Sequence, residues 1–162
     1  MDYLWTPWRY RYMADSSKDD RCIFCDALER NDDSQTLIVL RGDKCFVILN
    51  RYPYTSGHSM IVPYAHIADL AAADPDVLAE MMRLAQRIET ALAKMYQPQG
   101  FNIGMNLGRA AGAGITRHLH LHILPRWAGD ANFMTVVGET RVEPEELSTT
   151  YGRMRQALGI SK

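Results

Sequence analysis

Three of the chain's five histidines stand at alternate positions in Arg117-His118-Leu119-His120-Leu121-His122-Ile123-Leu124-Pro125-Arg126-Trp127. In an extended strand successive side chains point to opposite faces. This spacing therefore sets His118, His120 and His122 on one face and sends Leu119, Leu121 and Ile123 into a core on the other. A neutral imidazole can attack phosphorus to form a phosphoramidate, splitting one difficult displacement into two easier ones. The attacking nitrogen must be bare, with the proton on the other nitrogen held by an acceptor such as a neighbouring backbone carbonyl. The flanking imidazoles, about 6.6 Å away along a strand, can reach adjacent phosphate oxygens or the leaving group. Just upstream, Gly108, Gly112 and Gly114 lie in a small-residue loop where backbone N–H groups can approach an anion, and Arg109 or Arg126 could add positive charge.

A second group of reactive side chains lies near the start. Cys22-Ile23-Phe24-Cys25 has the spacing of half a tetrahedral metal site. Three cysteines in all argue against a disulfide framework, and Cys45, within the apolar run Lys44 to Leu49, reads as a buried strand residue.

The elements that must hold these groups follow from pattern. Thr36–Leu40 and Lys44–Leu49 read as strands joined by Arg41-Gly42-Asp43, and His58–Val62 reads as a third. Before them, a short helix is predicted over Asp26–Arg30, followed by the polar turn Asn31-Asp32-Asp33-Ser34. Apolar residues three and four apart (Leu78, Met81, Met82, Leu84, Ala85, Ile88, Leu92, Met95) mark one long amphipathic helix, started by Asp74-Pro75 and stopped by Gln97-Pro98-Gln99-Gly100. Phe101–Asn106 and the histidine segment complete five antiparallel strands, and a last helix is predicted from about Glu143 to Leu158. The class is α+β, with a five-stranded antiparallel sheet, one long helix packed on it and a C-terminal helix. The organisation reads as an aromatic arm over 1–21, a catalytic domain over 22–135 and a helical extension over 136–162. Trp127 and the tryptophans of the arm read as anchors, and His58 as a structural residue near the substrate loop.

Composition narrows the function classes. A chain of 162 residues, 47% hydrophobic and 23% charged, fits one globular domain with a real core. Eighteen basic against nineteen acidic residues leave no overall positive field for nucleic acid or an anionic membrane, so any phosphate binding must be local. No apolar run approaches the roughly 20 residues that span a bilayer, and the first residues lack a signal-peptide pattern. A cytoplasmic protein with no nucleic-acid or membrane partner is expected.

The chain resembles the histidine triad (HIT) nucleotide hydrolases and transferases. The likeness rests on His118-x-His120-x-His122 followed by Pro125-Arg126, on Asn106 with the glycine-rich loop, and on Asn50, Pro53 and Gly57-His58 upstream. The resemblance implies that His120 is the nucleophile toward the α-phosphorus, flanked by His118 and His122. It further implies that His122 and Asn106, with the loop around Gly112 and Gly114, contact phosphates, that Asn50 hydrogen-bonds the ribose, and that the protein is a homodimer. Leu4-Trp5-x-Pro7-Trp8-Arg9 and Pro125-Arg126-Trp127-x-Gly129-Asp130-x-Asn132-Phe133-Met134 resemble the family's diadenosine tetraphosphate phosphorylase or hydrolase branch. A hydrolase branch of the family carries glutamine where this chain has Gly114, which favours inorganic phosphate over water as the acceptor. Zinc-bearing relatives imply a structural zinc on Cys22, Cys25, His66 and His118, and a divalent cation could accompany the substrate.

Other readings stay open at this stage. The strand histidines could instead ligate a catalytic ion of a metal-dependent hydrolase, although their own segment offers no carboxylate. The chain could be a nucleotide-binding protein with little turnover. Within the enzyme class, water could replace phosphate as acceptor, or the substrate could be a purine nucleoside phosphoramidate.

Overall fold

The computed structural model describes residues 21–130 and 145–160, so the expected aromatic arm, apart from Arg21, lies outside the described residues. Chain order begins with a short helix α1 (Ile23–Glu29) and a single-turn helix α2 (Asp33–Thr36), followed by strands β1 (Ile38–Arg41), β2 (Cys45–Leu49) and β3 (Ser59–Pro63). A long helix α3 (Pro75–Tyr96) precedes β4 (Gly100–Gly104) and β5 (Leu121–Arg126), and α4 (Leu147–Ala157) ends the described chain. All strand pairs are antiparallel and the sheet runs β1-β2-β3-β5-β4, giving the expected α+β class. Among the described residues no helix is long and apolar enough to cross a membrane.

Helix α3 starts where the sequence places it. Asp74 caps it by accepting the Asp76 N–H at 2.8 Å, and Pro75 occupies the first turn, where a missing N–H costs nothing. Its buried face carries Val77, Met81, Leu84, Ala85, Ile88, Ala91 and Leu92, which pack with the interior of the sheet in one core. Met82, expected in the apolar stripe, is instead exposed, because one residue past Met81 is about 100° around the helix. Helix α1 begins earlier than predicted, so both Cys25 and Phe24 ride on it. The polar turn after α1 is the helix α2, capped by Asp32, whose carboxylate accepts from the Ser34 and Gln35 N–H groups.

The histidine segment is only partly strand. Leu121–Arg126 pairs with β3 and β4, but His118 and His120 precede the strand. The ladder stops because other bonds take its place: Leu119 N–H donates to the Ile67 carbonyl, and the Pro63 carbonyl accepts from the His118 ring. Alternation survives this change, with Leu119, Leu121 and Ile123 all buried in the core.

A buried carboxylate ties the β1–β2 turn to α3. Glu80, only 7% exposed, accepts the Asp43 N–H at 2.8 Å and the Lys44 N–H at 2.7 Å. A Cβ on Gly42 would collide with the same carboxylate, so another residue there would have to displace Glu80 from its two backbone bonds. Glu80→Ala removes two charge-assisted bonds to the N–H groups of exposed turn residues, which water can take over in part, and is expected to cost about 1–2 kcal/mol of stability, read as a lower urea midpoint at unchanged slope.

Candidate functional site

The site forms where β5, the lead-in to it, the loop before β3, and α1 converge. His58, His118 and His120 are buried and His122 is half-buried. The His120 and His122 rings lie 4.8 Å apart, and the His58 and His122 rings 5.1 Å. Phe24 on α1 packs against both His118 and His120, with ring centroids 5.4 and 5.3 Å away.

Backbone partners decide where each proton sits. His120 Nδ1–H donates to the His118 carbonyl at 2.8 Å, which leaves Nε2 as a bare lone pair. Tyr54 N–H donates to His58 Nδ1 at 3.2 Å, so a neutral His58 carries its proton on Nε2. That Nε2–H donates to His122 Nδ1 at 2.9 Å. His122, accepting at Nδ1, then carries its own proton on Nε2. The pair thus presents one acceptor nitrogen on His120 and one N–H donor on His122, side by side.

Burial keeps both imidazoles neutral. It pushes His120 below the ordinary histidine value, outweighing the carbonyl bond that favours the cation. Burial, with the neighbouring His120 adding repulsion, brings His122 down to about 4.

His118 turns its ring away from this pair. Its Nε2–H donates to the Pro63 carbonyl at 2.9 Å, directing the Nδ1 side at two sulfurs, Cys22 Sγ at 3.2 Å and Cys25 Sγ at 3.8 Å. His66 Nδ1 is 3.3 Å from Cys25 Sγ, and all four donor atoms lie within 4.8 Å of one another. Bonds of about 2.0–2.3 Å to one tetrahedral ion require donor separations of roughly 3.3–3.8 Å, so the four residues fit a metal. Burial raises the Cys22 thiol, but hydrogen bonds with His118 and with the Cys25 and Phe24 N–H groups prevail and bring it to about 6. Burial and the charge of Cys22 raise Cys25 in turn, a repulsion that a bound cation would remove.

The remaining expected residues are placed unequally. Asn106 lines a pocket together with His122. Asn50 follows β2, where its carboxamide accepts the Tyr52 N–H at 2.9 Å and donates to His58 Nδ1 at 3.3 Å, so it braces the histidines from within the loop. Gly112 has a left-handed φ of 86° that closes a single 3-10 turn, and Gly114 is exposed at the end of the same loop. Arg126, one of two arginines offered as a source of positive charge, is committed elsewhere. Asp130 takes two of its N–H groups and Asn102 a third. His58, read from sequence only as a packing residue, is hydrogen-bonded directly to the triad. Its place in the Asn50, Pro53, Gly57-His58 group was the available signal. Nothing in the spacing pointed to Phe24.

Comparison with known proteins agrees with this geometry. The HIT domain profile matches residues 31–129. An AP-4-A phosphorylase of Mycobacterium tuberculosis is 38% identical over 154 residues, spanning 91% of this chain and 79% of the relative. The adenylylsulfatase HINT3 of Arabidopsis thaliana is 34% identical over 122 residues, spanning 72% of this chain and 60% of the relative. Among solved structures, a Zn-bound histidine triad family protein from Mycobacterium smegmatis superposes with a TM-score of 0.70 at 28% identity, over 89% of this chain and 95% of that one.

The His122 depression makes a pH prediction. Because its folded value is lowered from the ordinary 6.5 to about 4, the unfolded chain binds the proton first as pH falls. Stability is expected to be full above pH 6.5 and to decline progressively toward pH 4. Histidine-detected NMR titration should place the His122 midpoint near 4, and a midpoint at or above 6.5 would contradict the assigned environment.

Proposed function

The chain belongs to the histidine triad (HIT) family, and on that premise we propose that it transfers a nucleotidyl group from a dinucleoside polyphosphate through His120. The observation that carries this reading is the 2.8 Å bond from His120 Nδ1–H to the His118 carbonyl, which leaves a neutral, buried imidazole with its Nε2 lone pair unengaged by that bond. Attack by Nε2 on the α-phosphorus forms the N–P bond and breaks the P–O bond to the rest of the polyphosphate, which departs as a nucleoside polyphosphate. The His122 Nε2–H stands beside it to hydrogen-bond a phosphoryl oxygen as charge builds. An oxygen of inorganic phosphate then attacks the same phosphorus, the P–N bond breaks, and His120 is regenerated. With diadenosine tetraphosphate the products are ATP and ADP. The relative named AP-4-A phosphorylase supports this acceptor, while the adenylylsulfatase relative shows why the leaving group must be measured.

Cys22, Cys25, His66 and His118 would hold a zinc ion, a reading supported by the thiolate and imidazole donor set and by the Zn-bound relative. Its contribution there would be structural, with Cys22 and Cys25 of the α1 region, His66 after β3 and His118 before β5 tied together. A homodimer, as the family resemblance implies, would use β4, the terminal strand on one side of the sheet, where Ile103 is exposed. We place the protein in the cytoplasm.

Incubation with diadenosine tetraphosphate, followed by anion-exchange chromatography, tests the reaction. Phosphate-dependent formation of ADP and ATP is expected. AMP plus ATP without phosphate would instead make water the acceptor, and faster cleavage of an adenosine phosphoramidate would make that the substrate class. Intact-mass analysis should show an adenylyl adduct on the wild type and none on His120→Ala, whose turnover should fall by at least about a thousandfold. A wild type that binds the nucleotide with neither adduct nor turnover would make it a binding protein.

Removing the metal tests the second part. Chelation, or Cys25→Ser, is expected to lower the melting temperature together with bound zinc, with turnover falling as the fold loosens. Loss of turnover with an unchanged melting temperature would point to a catalytic ion.

A further inference from the structure

A dinucleotide has two nucleosides, and attack at one α-phosphorus expels the other with the leaving polyphosphate. The strand register opens a space for it. Gly104 on β4 pairs with His122 on β5, and a Cβ placed on Gly104 would meet nothing within 4 Å. Beside His122 this leaves a pocket of about 190 Å3 whose walls include Tyr54, Asn102, Met105 and Leu124. The pocket lies on the face of β5 opposite Leu121 and Ile123, which are buried in the core.

The lining selects the kind of occupant. A volume below the roughly 300 Å3 typical of small-molecule sites suits one ring system rather than a whole nucleotide. At its inner end His122 and Asn106 would face the phosphates; the rest of the lining carries no lysine or arginine, and nearby Arg126 is held by Asp130 and Asn102, so beyond those two residues the pocket has no charge with which to hold a further phosphate. That outer part offers instead an aromatic ring, an aliphatic wall and the amide of Asn102. Those features match a neutral, flat, hydrogen-bonding heterocycle. Tyr54 is 41% exposed; its ring packs against that of His58 at 4.7 Å and lies near-parallel to that of His122 at 6.4 Å, so the histidines hold it from one side, next to the reacting groups. Its backbone N–H is fixed on His58, which keeps the ring in register with the pair.

We propose that this pocket is the subsite for the nucleobase of the departing nucleoside polyphosphate, with Tyr54 as its stacking platform. The proposal rests on the reading that the ligand is a dinucleoside polyphosphate. It assigns Tyr54 to substrate selection, and to the discrimination of dinucleotides from mononucleotides.

The test compares two ligands that differ in the second nucleoside, diadenosine tetraphosphate and adenosine 5′-tetraphosphate, by calorimetric titration of full-length His120→Ala protein. That background is expected to bind the dinucleotide about tenfold more tightly. Adding Tyr54→Ala should erase the difference, and adding Tyr54→Phe should keep it, because the ring rather than the hydroxyl does the stacking. Equal binding of the two ligands in the His120→Ala background, or a preference that survives Tyr54→Ala, overturns the subsite. The reaction is judged separately. A Tyr54-dependent preference without any adduct on wild-type His120 would remove the catalytic reading and leave the subsite standing, whereas an adduct with equal binding would remove the subsite alone.

Discussion

The His118 carbonyl, 2.8 Å from His120 Nδ1, determines which lone pair the buried imidazole offers. That carbonyl is held in place because the same residue is anchored by its ring, through Nε2–H to Pro63 and through Nδ1 toward the sulfur pair. One residue thus joins the metal-type cluster to the histidine pair by a single peptide unit. The consequence is mechanical. Any change in the cluster that rotates His118 moves the acceptor that fixes the His120 tautomer, and a bare Nε2 is what an attack on phosphorus requires.

The site is built by stopping secondary structure at the right place. Had β5 continued back through His118 as regular ladder, the Pro63 carbonyl and the Leu119 N–H would have paired as strand partners. Instead the first goes to the His118 ring and the second to Ile67. The segment keeps its alternation, so Leu119 still fills the core, while two imidazoles gain backbone partners of their own. Proline at 63 favours this outcome because it has no N–H to offer a neighbouring strand.

Much of this was legible in the sequence, for identifiable reasons. Period-two spacing of histidine against leucine survives even where the ladder ends, and period 3.6 with a capped start defines α3 almost to the residue. Cys22, Cys25, His66 and His118 were assembled from resemblance and fall within one cluster. What escaped was of a different physical kind. Arg126 reads from the sequence as positive charge for an anion, but an aspartate four residues later claims it, and a sequence pattern does not show which partner wins. In the sequence His58 reads as packing because a single buried histidine usually is. Its role emerges from a hydrogen bond to His122 across 64 positions. Phe24, between two cysteines, is hidden by the motif around it, and its contacts with two imidazoles depend on how α1 docks.

The relation between the histidines explains why burial serves the site rather than handicapping it. Three imidazoles packed this closely would repel if charged, and their burial makes the charged form costlier still. The protein resolves the conflict with directed bonds: His58 donates to His122 and His120 donates to a carbonyl. The proton that remains, on His122 Nε2, is the one presented outward, so adjacent rings differ in what they offer a ligand. A row of equivalent solvent-exposed histidines would each hold a mixture of tautomers near neutral pH and could not assign acceptor and donor roles. Desolvation, which lowers both His120 and His122, is therefore what keeps the two roles distinct at neutral pH.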